Sequence, residues 1–486
     1  MLDILLTPIR AFRMRYIPLL LIYFSYGSSV FIAIAENFWV KETLDMSALD
    51  LAELAVWLGV PWTVKMIFGQ MVDSINIFGS NRKSYVYIGA MLITISSLMM
   101  IAVVGDYAIV EDFSKKVVYI FASVIAVVGF VMQDVVADTM TTEVIDKNQS
   151  PEKINQELAS IQVLARLSLG FAIFITGWVG GELADVFKDN REVVFKIALF
   201  IPFLSILGVT LVRLNPVAIS PINKQVLFGG LIFAVFIVLM GYNDVAYSQE
   251  IIFVIFLAVV LYLLSGLISD LDASTIRHIK MAMIIIFVYR AMPSVGAGLS
   301  WWQIDILGFD ESFFAKLSAI GGAIALAGMW LVAKFIIKRD IAQVLIFLTI
   351  IGTLLSMPIM AMYYDIHTLL GFDARTIALV NTAMASPFDY IAQVLMLTLV
   401  AIYAPEGKKG TWFALMASLM NIALTAGSLF TKYLNQIFTI SREVSVDGVI
   451  TTAQNYTELG SLLWVVIIVG FVVPIVTIIK YNPNKA

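Results

Sequence analysis

Eighteen consecutive residues near the C-terminus, LLWVVIIVGFVVPIVTII from Leu462 to Ile479, carry no charged side chain. A stretch of that length crosses the roughly 30 Å hydrocarbon core of a bilayer as one helix. Blocks of the same kind recur along all 486 residues. With no water to bond to, the backbone inside a membrane must satisfy its own polar groups, so such blocks can only be helices. Transmembrane barrels use short alternating strands, which these blocks are not. The fold class expected is therefore an all-α polytopic membrane protein.

Composition agrees and excludes several functions. Charged residues make up 14% of the chain, against about 25% in soluble domains. A net charge of −4 gives no electrostatic footprint for nucleic acid. There is no cysteine, hence no thiol nucleophile, disulfide or thiolate metal site. The two histidines, His278 and His367, fall in predicted loops, so no metal and no cofactor is expected. The N-terminal RAFRMRYIPLLLIYFSYGSSVFIAIAE has a basic start and an apolar run, as a signal peptide does. Its apolar run is too long for one, and it reads as a first span that is kept.

The apolar blocks predict fourteen spans, at roughly 16–36, 51–72, 85–104, 117–140, 157–179, 193–212, 225–241, 250–269, 280–303, 312–335, 341–363, 376–403, 411–437 and 459–480. With the N-terminus in the cytoplasm, inner segments hold 18 of the 31 Lys and Arg and outer segments 7. The positive-inside rule thus supports both termini in the cytoplasm, and the location expected is a cytoplasmic (inner) membrane. The halves also look related. At a constant offset of 263, Trp39 meets Trp302, Leu44 meets Leu307, Leu54 meets Leu317 and Gly59 meets Gly322. The expected organisation is a cytoplasmic segment 1–15, a six-helix bundle 16–212, a linker and extra hairpin 213–279, and a second six-helix bundle with a short tail 280–486. Two parallel repeats of six helices describe the major facilitator plan.

Charges within the spans narrow the function. Lys65, Asp134, Arg166 and Arg290 lie deep, while Asp138, Lys316 and Lys432 lie near helix ends, where side chains can snorkel. Each deep charge facing lipid would cost about 2.5–3.5 kcal/mol. They must therefore pair or face water. One reading is structural ion pairs, such as Asp134 with Lys65 or Arg166. The other is a wet central cavity with a net positive lining. Arg290 favours the cavity, because its half offers no acid at similar depth other than Asp389. Asp134 and Asp138, four apart, share one helix face, and such carboxylates are candidates for proton coupling.

A second motif lies in VPWTVKMIFGQMVDSINIFGSNRKSY, from Val60 to Tyr85. Gly69 and Asp73 end a span, and Arg82 and Lys83 follow in the loop. This G-x-x-x-D with a basic pair resembles the major facilitator gating motif, in which a carboxylate and a basic side chain latch the bundles.

Together these residues resemble the folate–biopterin transporter family of the major facilitator superfamily. The carrying residues are Pro61, Trp62, Lys65, Gly69, Asp73, Arg82 and Tyr85, then Asp134, Asp138 and Glu143, then Pro293, Ser294 and LGF ending at Phe309. Near the C-terminus they are Pro405, Gly407, Thr411, Phe413, Ala414 and Asn421. Lys409 departs from the pattern, standing where the family has an acid. The resemblance implies secondary active transport by alternating access, with proton symport of a folate- or pterin-like anion. Lys65, Arg166 and Arg290, with Trp62 and Trp301 for stacking, are the candidate substrate contacts. Partners expected are the anion and the bilayer, and a monomer is expected. The alternatives are a muropeptide- or peptide-type permease and, more remotely, a non-transporting scaffold. An intramembrane enzyme finds no H-E-x-x-H, G-x-S-x-G or cysteine to work with.

The topology is testable against a cysteine-free background. Single Ser80→Cys and Lys408→Cys variants should be labelled by an impermeant thiol reagent only from the cytoplasm, and Ser114→Cys and Asp373→Cys only from outside. Labelling of positions 80 and 114 from the same face would overturn it.

Overall fold

A computed structural model describes residues 12–80, 82–145, 149–211, 245–336, 341–403, 409–446 and 449–481, with 228, 232, 235–237, 239–241 and 243. The chain is nearly all helix. The helices of six or more residues in order are α1 (Ile17–Gly27), α2 (Ala33–Thr43), α3 (Ala48–Thr63), α4 (Lys65–Ser74), α5 (Lys83–Val104), α6 (Lys115–Glu143), α7 (Pro151–Val186), α8 (Glu192–Ile197), α9 (Phe200–Leu211), α10 (Ser248–Leu267), α11 (Ala273–Arg290), α12 (Ala297–Asp305), α13 (Glu311–Ile336), α14 (Ile341–Tyr363), α15 (Ala374–Ile402) and α16 (Lys409–Ile437), with a four-residue helix, Ile366–Leu369, that holds His367. A short antiparallel hairpin, β1 (Val444–Val446) with β2 (Val449–Thr452), precedes α17 (Leu459–Lys480). Among the described residues nine helices are long and apolar enough to cross a membrane. Helices α11, α13, α15 and α16 run over four further expected spans. The expected span 225–241 lies largely outside the described residues.

Four expected spans are interrupted: 193–212 breaks at Ala198 and Leu199, between α8 and α9, and three others break as follows. In the first, a 3₁₀ segment, Ser28–Ile32, joins α1 to α2. In the second, α3 ends two residues after Pro61, whose ring removes a donor and crowds the carbonyl one turn back. The third differs most from expectation. The sequence predicts one span over 280–303, but α11 starts at Ala273 and stops at Arg290. Asp272 caps it early, accepting from the Thr275 amide at 2.9 Å, so His278 is helical rather than in a loop. Pro293 then disfavours helix at Met292, and Gly296 takes φ +80°, which suits only glycine. The offset of 263 places Ser28–Ile32 on residues 291–295, so both repeats break at the same point.

Contacts group the chain into two units, Met1–Leu44 with Ile67–Ala234 and Asp310–Leu326, and Asp45–Met66 with Val235–Phe309 and Ala327–Ala486. Each sequence half thus lends one segment to the other. In the first unit a core around Tyr16, Tyr23, Tyr85, Val136 and Met140 joins α1, α5 and α6. The α5 and α6 backbones touch through glycines: a Cβ on Gly89 would lie 2.8 Å from the Gly129 carbonyl oxygen. Small residues allow this approach in membranes, where packing replaces the hydrophobic drive. The C-terminal half of α7 crosses the start of α13 in the same way. A Cβ on Gly181 would lie 2.5 Å from Ala315 Cβ, and one on Gly322 would lie 3.0 Å from Phe174 Cα. Arg191 closes this end, with Nη2 at 2.9 Å from Glu311 and 3.0 Å from Glu42.

The second unit repeats the arrangement. The N-terminal half of α3 packs along α16, where a Cβ on Gly59 would lie 2.9 Å from Thr425 Oγ1. Gly59 and Gly322, paired by the repeat, therefore do the same work at two crossings. Lys432 was expected to snorkel. It is instead 8% exposed, with Nζ at 3.0 Å from Glu250, 3.1 Å from Gln249 and 3.6 Å from Glu53. Tyr433 also donates to Glu250, at 2.8 Å. These bonds dock the first turn of α10 onto α3 and α16.

Gly322→Val should lower thermal stability in detergent by about 1–3 kcal/mol, because the new side chain meets backbone that cannot yield. Gly352→Val, where a Cβ would meet nothing within 4 Å, serves as the control. Equal melting temperatures for the two variants would contradict the close crossing.

Candidate functional site

The loop after α4 builds the first charged cluster. Phe78 and Gly79 take φ of 49° and 79°, a tight turn that returns the chain. Ser80 Oγ then accepts from the Lys83 amide at 3.0 Å and starts α5. Arg82, beside it, is 4% exposed. Its Nη2 donates to Asp73 at 3.0 Å, its Nε to Glu143 at 3.0 Å and its Nη1 to the Val72 carbonyl at 2.6 Å. A guanidinium fork can serve three acceptors at fixed angles where a lysine cannot. The result ties α4, α5 and α6 together within the first unit. Lys83 makes no ion pair among the described residues. Gly69 faces Val135 with room to spare, since a Cβ there would be 4.0 Å away.

One turn deeper on α6, the two aspartates differ. Asp138 is exposed and accepts from the buried Tyr23 hydroxyl at 2.5 Å, while Asp134 is 8% exposed. Sharing a helix face does not give them one environment, because Asp138 lies nearer the end of α6. Asp138, Asp134 and Arg166 all act electrostatically on the Tyr23 hydroxyl. Arg166, half-buried on α7, makes no ion pair with any carboxylate among the described residues. Sequence reasoning missed Tyr23; its only signal was a hydroxyl in the middle of an apolar block.

In the second unit, α11 stops at Arg290, which places a guanidinium at a helix C-terminus where the macrodipole favours it. Arg290 is half-buried, and its Nε donates to the Met420 carbonyl at 3.2 Å. Among the described residues it has no carboxylate partner; the side chain of Asp389 lies outside that set. The next residue on α16, Asn421, donates to the Trp62 carbonyl at 3.1 Å. Arg290 and half-buried Trp62 are thus held by consecutive residues of one helix. Lys65 follows at the start of α4. Trp301 is placed elsewhere: it is 1% exposed, with the Arg442 guanidinium 5.1 Å from its ring centre. Pro405 and Gly407 lie outside the described residues.

The sequence model of the BT1 family matches residues 27–483. The folate-biopterin transporter of Synechocystis sp. is 23% identical over 453 residues, covering 92% of this chain and 80% of that protein. Folate transporter 1 of Plasmodium falciparum is 18% identical over 440 residues, covering 90% and 74%. A POT family transporter crystallised with a thioalcohol-conjugated peptide superposes with a TM-score of 0.68 at 12% identity, over 97% of this chain and 96% of that one. A D-xylose–proton symporter gives 0.58 at 12% identity, over 96% of each chain. At such identities these structures give the fold alone, and it is major-facilitator-like.

Glu143 supplies most of the compensation for the buried Arg82 charge: its side chain is 19% exposed, against 43% for Asp73. Glu143→Gln should therefore lower stability by about 3 kcal/mol or more, the scale for orphaning a buried charge. Asp73→Asn should cost under about 1 kcal/mol. Thermal unfolding of both variants checks the order, and the reverse order would contradict the geometry.

Proposed function

The chain belongs to the BT1 family, and on that premise we propose that it carries a folate- or pterin-like organic anion by alternating access, driven by proton symport. It is a multi-pass membrane transporter, not an enzyme. The observation that carries the substrate reading is Arg290. A guanidinium with no carboxylate partner among the described residues, at a break in a membrane helix, favours an anion beside it. Folates bring carboxylates that match the guanidinium fork and a flat ring system that Trp62 can stack against. Arg166 is a second guanidinium of the same kind, and Lys65 adds positive charge. Asn421 fixes the backbone at Trp62 and so orients the stacking face.

Asp138 supports the coupling reading. Its carboxylate is exposed yet held by the Tyr23 hydroxyl, so a proton arriving there removes one negative charge from the group around Arg166. Asp134, buried beside it, is the second candidate. The same reading puts a monomer in a cytoplasmic membrane with both termini inside, as the basic-residue count supports for the termini.

Uptake of radiolabelled folate into proteoliposomes, with and without an inward proton gradient, tests both parts. Gradient-dependent accumulation is expected. Arg290→Lys should weaken affinity by about 1.5–3 kcal/mol, since the ammonium keeps the charge but loses the fork. Asp138→Asn should retain substrate exchange while losing gradient-driven accumulation. Equal uptake in both conditions removes the proton coupling, and no uptake of folates or pterins removes the substrate class.

A further inference from the structure

Two cavities lie end to end beside α11, in the second unit. The larger, about 570 Å³, runs between α10, α11 and α16. Its walls are apolar side chains, among them Leu257, Leu261, Met283, Phe287 and Leu419. The smaller, about 360 Å³, surrounds the start of α11 and is lined by Arg277, Lys280 and Tyr481. Lys280 and Ile284 line both, so the two adjoin. From Lys280 to Val288 the apolar part extends along eight helical residues, about 12 Å. That is most of the roughly 15 Å depth of one hydrocarbon leaflet.

The charges at the mouth have no use inside the fold. Arg277 and Lys280 are exposed, and neither makes an ion pair among the described residues. Lys480 is close by, its Nζ 5.3 Å from the Tyr481 ring centre. The nearest acid on the same helix end, Asp272, is taken up by capping: it accepts from the Thr275 amide at 2.9 Å and the Thr275 hydroxyl at 2.6 Å. The N-terminus of α11 adds its own positive end at the same place. A basic mouth over an apolar slot of leaflet depth matches an amphiphile with an anionic head and a long tail.

We infer that this groove binds one anionic glycerophospholipid, its phosphate on Arg277 and Lys280 and an acyl chain between α10 and α11. Basic pockets between membrane helices recognise such headgroups in the cytoplasmic leaflet, the side to which the basic-residue count assigns this end. The lipid completes the attachment of the inserted helix. At its first turn α10 is fixed by the hydrogen bonds of Gln249 and Glu250 to Lys432. At its other end the apolar groove separates it from α11, and a lipid tail fills that space. The groove also reaches Phe287 and Val288, in the last turn before Arg290, so its occupancy bears on the helix that carries that arginine.

Binding can be read without transport, so its outcome is separate from the folate proposal. The full-length protein is to be reconstituted in nanodiscs and titrated with phosphatidylglycerol or phosphatidylcholine, with native mass spectrometry counting bound lipids. Phosphatidylglycerol should be preferred by about 10–30-fold, as two basic residues at a membrane surface provide. The double variant Arg277→Gln/Lys280→Gln should fold normally, both side chains being exposed, and should lose that preference while still binding either lipid. Ile284→Trp, which fills the groove, should lose retained lipid of both kinds. Equal retention of the two lipids by the unmodified protein overturns the proposal, and so does a preference that survives the double variant. Displacement of the lipid by inorganic phosphate alone would mean a free-anion site instead. A lipid-free dimer that buries the groove would mean that a second copy of the chain covers it.

Discussion

The lack of water in the bilayer core is the constraint from which the rest of this structure follows. It makes each apolar block a helix, and it makes each interruption of a helix a problem in hydrogen bonding. The break after Arg290 shows how the problem is solved. The freed amide of Ser294 donates to Thr431 Oγ1 at 2.9 Å, and the carbonyl of Val295 accepts from Asn435 Nδ2 at 3.2 Å. Thr431 and Asn435 are one turn apart on α16. Further along the same helix, Asn421 serves the Trp62 carbonyl and Met420 receives Arg290. A single helix with polar residues at turn spacing thus supports two irregular stretches and one charge.

The same constraint sorts the charges into two kinds. Arg82, Arg191 and Lys432 are each shared between carboxylates on separate helices, and each binds helices into a group. The three cations are buried or nearly so, so removing one of their acids orphans a buried charge. The close glycine crossings beside them set the distance between helices while the ion pairs set which arrangement is favoured. Arg166 and Arg290 are of the other kind. Neither has a carboxylate partner among the described residues, and Arg290 meets α16 at the Met420 carbonyl.

Much of this was legible in the sequence, and the limits have physical causes. Span positions were readable because apolar length is a local property. The break in the span at 280–303 was also written locally, in Pro293 and Gly296, but proline is tolerated in membrane helices, so its presence alone does not fix a break. Long-range partners were not readable. Lys432 looked like a snorkelling lysine near a helix end, and only the fold brings Glu250, 182 residues away, to its side. Tyr23 and Asp138 are 115 residues apart, and neither position announces the other. Asp134 and Asp138 share a helix face by spacing, but exposure depends on what packs against that face, and the two differ.

The internal repeat shows where the halves have parted in chemistry while keeping their geometry. Both interrupt their first span at the same point, and both place a glycine at a helix crossing, Gly59 and Gly322. At the offset of 263, however, Arg290 falls on Gly27. A Cβ on Gly27 would lie 2.5 Å from the Leu169 carbonyl oxygen of α7, so that position in the first half has no room for any side chain. A cation in the first half must therefore come from another helix, and α7 supplies it three residues earlier as Arg166. The close packing that forces glycine at position 27 and the guanidinium at position 166 belong to the same stretch of α7. The two halves thus carry one arginine each, on helices that do not correspond.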